Sequence, residues 1–129
     1  MLNGFLHRMS STFYVRIDRN CFHVRHVESF NVHVESSATP FSTQRLLVGN
    51  FASAEACLTK AINAVSKQLK KRQFLAPRVL MHPREMVEGG LSEVEERVLR
   101  ELGLSAGARR VEIWIGEDLH DDEIRGKFD

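Results

Sequence analysis

From residue 12 onward, apolar and polar residues alternate. Phe13, Val15 and Ile17 interleave with Tyr14, Arg16 and Asp18, the period-two pattern of a strand with one buried face. Arg19-Asn20 supplies a turn. Phe22 and Val24 continue the alternation in a second strand, and Phe30, Val32 and Val34 in a third. Connections this short make the three an antiparallel meander. The polar stretch from Ser36 to Gln44, with Pro40 inside it, reads as a loop, and Leu46-Leu47-Val48 forms a further short apolar run, an optional strand, ending at Gly49. Helical spacing begins at Ser53, read as the N-cap. Ala54, Leu58, Ala61, Ile62, Val65 and Leu69 make one stripe over residues 54–71, with Lys67, Lys70, Lys71 and Arg72 in the last turn, where cations suit the negative helix end. Val79-Leu80-Met81, between Pro77 and Pro83, predicts a strand apolar on both faces, as buried parallel strands are. After Gly89-Gly90, Ser92 and Glu95 form a capping box for a helix over residues 93–102. Val94, Val98, Leu99 and Leu102 face the core, Glu93–Arg97 and Glu96–Arg100 pair on the outside, and Gly103 or Gly107 ends the helix. Val111, Ile113 and Ile115 give a last strand, followed by an acidic tail with room for one short helix.

A meander followed by two right-handed βα crossovers gives an α/β fold with a mixed five-stranded sheet, order 3-2-1-4-5, and helices on its faces. That is the ribonuclease H-like fold, shared by nucleases and by the lobes of actin-type ATPases. Residues 12–129 make this single domain. Residues 1–11 stand apart as an amphipathic segment whose Leu2, Phe5, Leu6 and Met9 share one helical face. These four are the candidate membrane contacts. Burying them contributes ~1.5–3 kcal/mol each. Ordering the segment costs ~1–2 kcal/mol per residue, so a single copy binds marginally and useful affinity needs several copies on one assembly.

With 129 residues, 43% hydrophobic and 27% charged side chains and a net charge of +1, the chain has the composition of one globular domain. Near-neutral charge argues against nucleic acid as a partner. No apolar run approaches the ~20 residues of a membrane span. With no secretory signal, Cys21 and Cys57 read as free thiols of a cytoplasmic protein, with the inner membrane surface as a peripheral site. His23 and His26, three apart on a strand, point to opposite faces, so no metal centre is expected. Asp18 ends the first strand, where ribonuclease H-type nucleases place a metal carboxylate. Two-metal chemistry requires several carboxylates around cations about 4 Å apart, and the neighbouring strand ends at Met81-His82 without an acid. Neither a Walker loop nor a glycine-rich dinucleotide turn is present. Charge is uneven: Lys60, Lys67, Lys70, Lys71, Arg72, Arg78 and Arg84 form an acid-free run, while Glu117, Asp118, Asp121, Asp122, Glu123 and Asp129 make the C-terminal end acidic. One reading is a pair of opposed patches for head-to-tail association or for steering a partner; the other is a solvated helix end and a solvated tail.

Three stretches carry a resemblance. "APRVLMHP" followed by "LSEVEERVLRELGLSAGARRVEIWI" is similar to the MreB family of rod-shape-determining actin homologues, where a strand of the type PRVLVCVP precedes a helix containing VERRAIRE and then GAGAREVFLIEEP. The opening "MLNGFLHRMSSTFYVRID" resembles that family's amphipathic N-terminal segment running into a strand ending IDLGT. The likeness is to the first subdomain of a longer protein, strongest from Pro77 to Val111 and weak from Asn20 to Phe51. It implies a nucleotide site in which Asp18 matches the first-strand aspartate and, with one residue inserted, Glu117 falls near the catalytic glutamate. The departures point away from catalysis. Arg19, Asn20 and Cys21 replace Leu-Gly-Thr in the phosphate turn, where glycine lets backbone N–H groups approach a phosphate. The second phosphate loop and the adenosine pocket belong to a second lobe, which the chain does not carry.

The resulting expectation is a non-catalytic MreB-like scaffold or interaction protein in bacterial cell-shape or envelope organisation, without cofactor. The alternative is a residual nucleotide binder or a ribonuclease H-type nuclease centred on Asp18. Exposed sheet edges further predict self-association as a homodimer, with Trp114 the candidate contact because it points away from Val111, Ile113 and Ile115.

Overall fold

The computed structural model describes residues 11–69 and 75–129. Three strands, β1 (Thr12–Asp18), β2 (Cys21–His26) and β3 (Val32–Ser36), form the antiparallel meander. Helix α1 (Phe51–Ser66) leads to β4 (Arg78–Pro83), helix α2 (Glu93–Ser105) to β5 (Arg110–Ile113), and a short helix α3 (Asp121–Gly126) follows. β4 runs parallel to both β1 and β5, so one mixed open sheet of order β3-β2-β1-β4-β5 results, the order expected from the sequence.

The two faces of the sheet are covered differently. On one, Phe13, Val15 and Ile17 of β1, Phe22 and Val24 of β2, and Val79 and Met81 of β4 pack against Leu58, Ala61, Ile62 and Val65 of α1 and Leu99 and Leu102 of α2. On the other, Tyr14, Val27 and Leu80 are covered by Ile124 and Phe128, with Trp114 and Leu119 beside them. The acidic tail is thus amphipathic, and its apolar residues close the second face over β1 and β4. Contact on both faces leaves every residue of β4 buried.

Several local expectations are corrected. Leu46-Leu47-Val48 forms no strand. Its loop is pinned instead by Asn20, a left-handed residue (φ 55°) whose Oδ1 accepts from the N–H groups of Phe41 (2.8 Å) and Ser42 (2.7 Å). Phe41 is thereby held buried, stacked on Phe22 at 4.8 Å between ring centroids. The N–H groups of Gly49 and Asn50 both donate to the Phe41 carbonyl, so α1 starts directly at Phe51 with Asn50, not Ser53, as N-cap. It ends at Ser66 with Lys67 as C-cap, and no basic residue lies in its last turn; Lys70, Lys71 and Arg72 fall outside the described residues.

In α2 the capping box forms as read, Ser92 Oγ accepting from Glu95 N–H (3.2 Å) and Glu95 Oε1 from Ser92 N–H (3.0 Å). Val94, however, is 71% exposed and Val98 only half-buried, because the first turn of α2 overhangs a groove rather than the core. The outer ion pair is Arg97–Glu101 (3.2 Å), while Arg100 donates to the Val111 carbonyl (2.8 Å).

Gly103 sets how closely α2 approaches β5: a Cβ there would meet Val111 Cγ2 at 2.7 Å. Gly103→Ala should therefore lower the urea midpoint, because the helix propensity gained, ~1 kcal/mol, offsets only part of an overpacking cost of ~1–3 kcal/mol. Gly126→Ala, in open space, should leave the midpoint unchanged or raise it. An equal rise in both variants would contradict this packing.

Candidate functional site

The chain leaves β1 for β2 and β3 on one side and returns for β4 and β5 on the other. β1 and β4 are therefore parallel neighbours at a topological switch, and open α/β sheets bind ligands just beyond the carboxyl ends of such strands. Here those ends present Asp18 and Arg84. The Arg84 N–H continues the ladder onto Ile17 O (3.0 Å), which brings its guanidinium level with Asp18. Both Asp18 oxygens are taken by it: Arg84 Nε donates to Oδ1 (3.2 Å) and Nη2 to Oδ2. His23 Nε2 lies 3.0 Å from the same Oδ2. Partial burial pushes the Asp18 carboxyl up, but Arg84 and His23 together hold it below the usual carboxylate range. Arg84 is raised in turn by that contact.

Arg84 also reaches Asp118, with Nη1 3.5 Å from Oδ2, and Arg16 Nη1 lies 2.9 Å from the same oxygen. Asp118, not Glu117, is thus the acid from the C-terminal segment that joins this cluster. Glu117 is exposed, and it is its carbonyl that is used, accepting from the Trp114 indole N–H at 2.8 Å. The shift follows from Gly116, whose missing Cβ lets the Trp114 ring lie against its backbone. Trp114 itself is half-buried and its ring is capped by Lys127 Nζ, 3.9 Å from the centroid. Leu2, Phe5, Leu6 and Met9 lie outside the described residues. Among those described, no helix is long and apolar enough to cross a membrane.

The turn after β1 is closed by the chain itself. Arg19 N–H donates to Glu85 Oε2 (2.7 Å), and Asn20 N–H to Ser42 Oγ (3.0 Å). A phosphate-binding turn needs such N–H groups free and pointed at the ligand. Here they are occupied, one of them by a carboxylate that would repel an anion. Metal chemistry fares no better at Asp18, because a guanidinium sits between the two acids where a cation would bind. Among the described residues, no three His, Cys, Asp or Glu side chains are grouped to hold a metal ion. Both thiols are free, and burial pushes Cys57 up to about 11.

Beneath the cluster runs a buried polar chain. Leu119 N–H donates to Tyr14 Oη (3.2 Å), Tyr14 lies 2.6 Å from His82 Nδ1, and His82 Nε2 lies 2.8 Å from Gly116 O. A carbonyl can only accept, so Nε2 carries the proton and Nδ1 accepts from the Tyr14 hydroxyl. His82 is fully buried, and desolvation holds it below its ordinary value despite the Gly116 carbonyl. At the other end of the sheet His26 is lowered in the same way, by burial against the opposing pull of Glu28.

Comparison with known proteins gives a relative: the chain is 38% identical over 95 residues to the uncharacterized protein YjaA of Escherichia coli (strain K12), spanning 71% of this chain and 73% of that one. The chain belongs to the YjaA family. No protein-family model matches it. In this member of the YjaA family, the charged residues at the switch point pair with one another.

Two outcomes follow. Tyr14→Phe leaves His82 Nδ1 unpaired in the interior and the half-buried Leu119 N–H without its partner, and should cost ~1–3 kcal/mol in urea unfolding. The unfolded chain, with histidines near 6.5, binds protons before the folded one does. Stability should therefore be full above that pH and fall as pH drops through and below it. His82→Gln, which takes up no proton there, should fall less steeply; an unchanged slope would show that His82 does not contribute.

Proposed function

We propose that this protein is a non-catalytic interaction module with the ribonuclease H-like architecture of actin-type lobes. The observation that carries the reading is the turn after β1, whose Arg19 and Asn20 N–H groups are held by Glu85 and Ser42 while Arg84 neutralises Asp18. Such a switch point has neither free N–H donors for phosphates nor free carboxylates for cations. The actin-type part of the reading is supported by the 3-2-1-4-5 sheet and by the likeness to MreB between Pro77 and Val111. The same likeness directs the proposal toward proteins that organise the bacterial envelope by assembling on one another. Its role would then be to present surfaces, with the inner face of the membrane a peripheral location.

Calorimetric titration of ATP with magnesium tests the reading. No saturable heat is expected, and incubation with a single-stranded or RNA–DNA hybrid substrate should leave it intact. Micromolar nucleotide binding that Asp18→Ala abolishes would overturn the proposal in favour of a working nucleotide site.

A further inference from the structure

The outer edge of the sheet carries the next inference. β3 is an edge strand, and among the described residues nothing pairs with its outer side. His26 N–H donates to Asn31 O and Ser37 N–H to Asn20 O, both at 2.8 Å. In an antiparallel ladder the direction alternates, so the backbone groups of His33 and Glu35 also face β2. Those of Val32, Val34 and Ser36 face outward, available for another strand. The side chains alternate the other way. His33 and Glu35 lie on the α1 side, where His33 Nε2 lies 2.8 Å from Glu35 Oε1 of the same strand and Glu35 Oε2 meets Lys60 at 3.4 Å, so a facing copy would exchange or share this pair across the seam. Val32 and Val34 lie on the opposite side, which α3 does not reach, and are 49% and 51% exposed; Phe30 just before them is 67% exposed. Natural edges are often protected by lysine, proline, a bulge or another charge; β3 has no lysine, proline or bulge, and its one acid, Glu35, lies on the α1 side.

We propose that this edge binds a second copy of the chain, β3 against β3 in antiparallel register centred on Val34. The strand is complementary to itself in that register. Val34 faces its own symmetry mate, Val32 faces Ser36, and His33 of each copy faces Glu35 of the other, twice across the two-fold axis. The register one step away would set His33 against His33 and lose both His–Glu pairs. The helices fit as well. α1 packs across β2 and β3, so its two-fold mate lies about two strand spacings away, ~10 Å, the distance at which helices pack. The flank of α1 that would meet it carries Ala56, Thr59, Lys60 and Asn63 and is open. The dimer is then one continuous ten-stranded sheet with paired helices on one side and a valine seam on the other. This deepens the reading as an interaction module by naming its partner, and it replaces Trp114, which its own chain caps, as the dimer contact.

Sedimentation equilibrium of the intact protein should give twice the 14.7 kDa chain mass. Val34→Pro removes an outward N–H and the central seam valine while leaving the ladder to β2 intact, and should give monomer with the circular dichroism of the parent. His33→Glu sets like charges across the seam and should weaken association about tenfold, and adding Glu35→His should restore it. Trp114→Ala should leave the mass doubled. A monomeric parent, a dimeric Val34→Pro variant, or a double variant no tighter than His33→Glu would each overturn the proposal. Because mass is read without nucleotide, this interface and the non-catalytic reading can fail separately.

Discussion

The parallel pairing of β1 with β4 is the constraint on which the rest hangs. It aligns Ile17 with Pro83, so the next residue on each strand is a charge, Asp18 on one and Arg84 on the other. Left unpaired, a half-buried carboxylate and guanidinium would oppose closure of the sheet; paired, they lock the register at the point where the chain changes direction. The fork geometry of the guanidinium suits this place because it satisfies both Asp18 oxygens and still reaches Asp118. Exposure of these side chains, about a quarter for Asp18 and Arg84 and half for Asp118, keeps the energetic value of each pair modest. Their effect is on occupancy: they fill the switch point of the sheet, beyond the carboxyl ends of β1 and β4.

The acidic C-terminal segment depends on that arrangement. Asp118 meets Arg16 and Arg84, and Asp121 meets Arg25 at 3.0 Å, so the segment is drawn across the strands by their own arginines. Once there, Leu119, Ile124 and Phe128 cover Tyr14 and Leu80, and the buried chain from Leu119 through Tyr14 and His82 to Gly116 can form without unpaired groups. Acidic and basic stretches that look like opposed patches along the sequence are in part partners within one molecule. The second face remains uncovered over β3, which is where the valines are exposed.

Much of the fold was legible because strand alternation, the doubly apolar β4 and the Ser92–Glu95 box are local signals. The misreadings have a common cause, contacts remote in sequence. Asn20 gathers the loop around Phe41, whose carbonyl accepts from Gly49 and Asn50 and so moves the N-cap of α1 from Ser53 to Asn50. Val94 fits the apolar period of α2 but overhangs a groove left by the loop after β4. At the site, Asp18 was legible as a strand-end acid, whereas Arg84 was one member of a basic run and Asp118 one of six acids. The nearest signal for the C-terminal cover was the i, i+4 spacing of Ile124 and Phe128, hidden among charged neighbours. The glycine-free turn after Asp18 already pointed away from phosphate binding, but the groups that occupy it, Glu85 and Ser42, come from other parts of the chain.

That occupancy is the central claim, and amide hydrogen exchange resolved by residue tests it most directly. The Arg19 and Asn20 N–H groups should exchange slowly for a surface turn, and Glu85→Ala should release Arg19 while leaving Asn20 protected by Ser42. Fast exchange of both amides in the unaltered protein would mean that the turn stands open, and the account of this switch point as closed by its own chain would be contradicted.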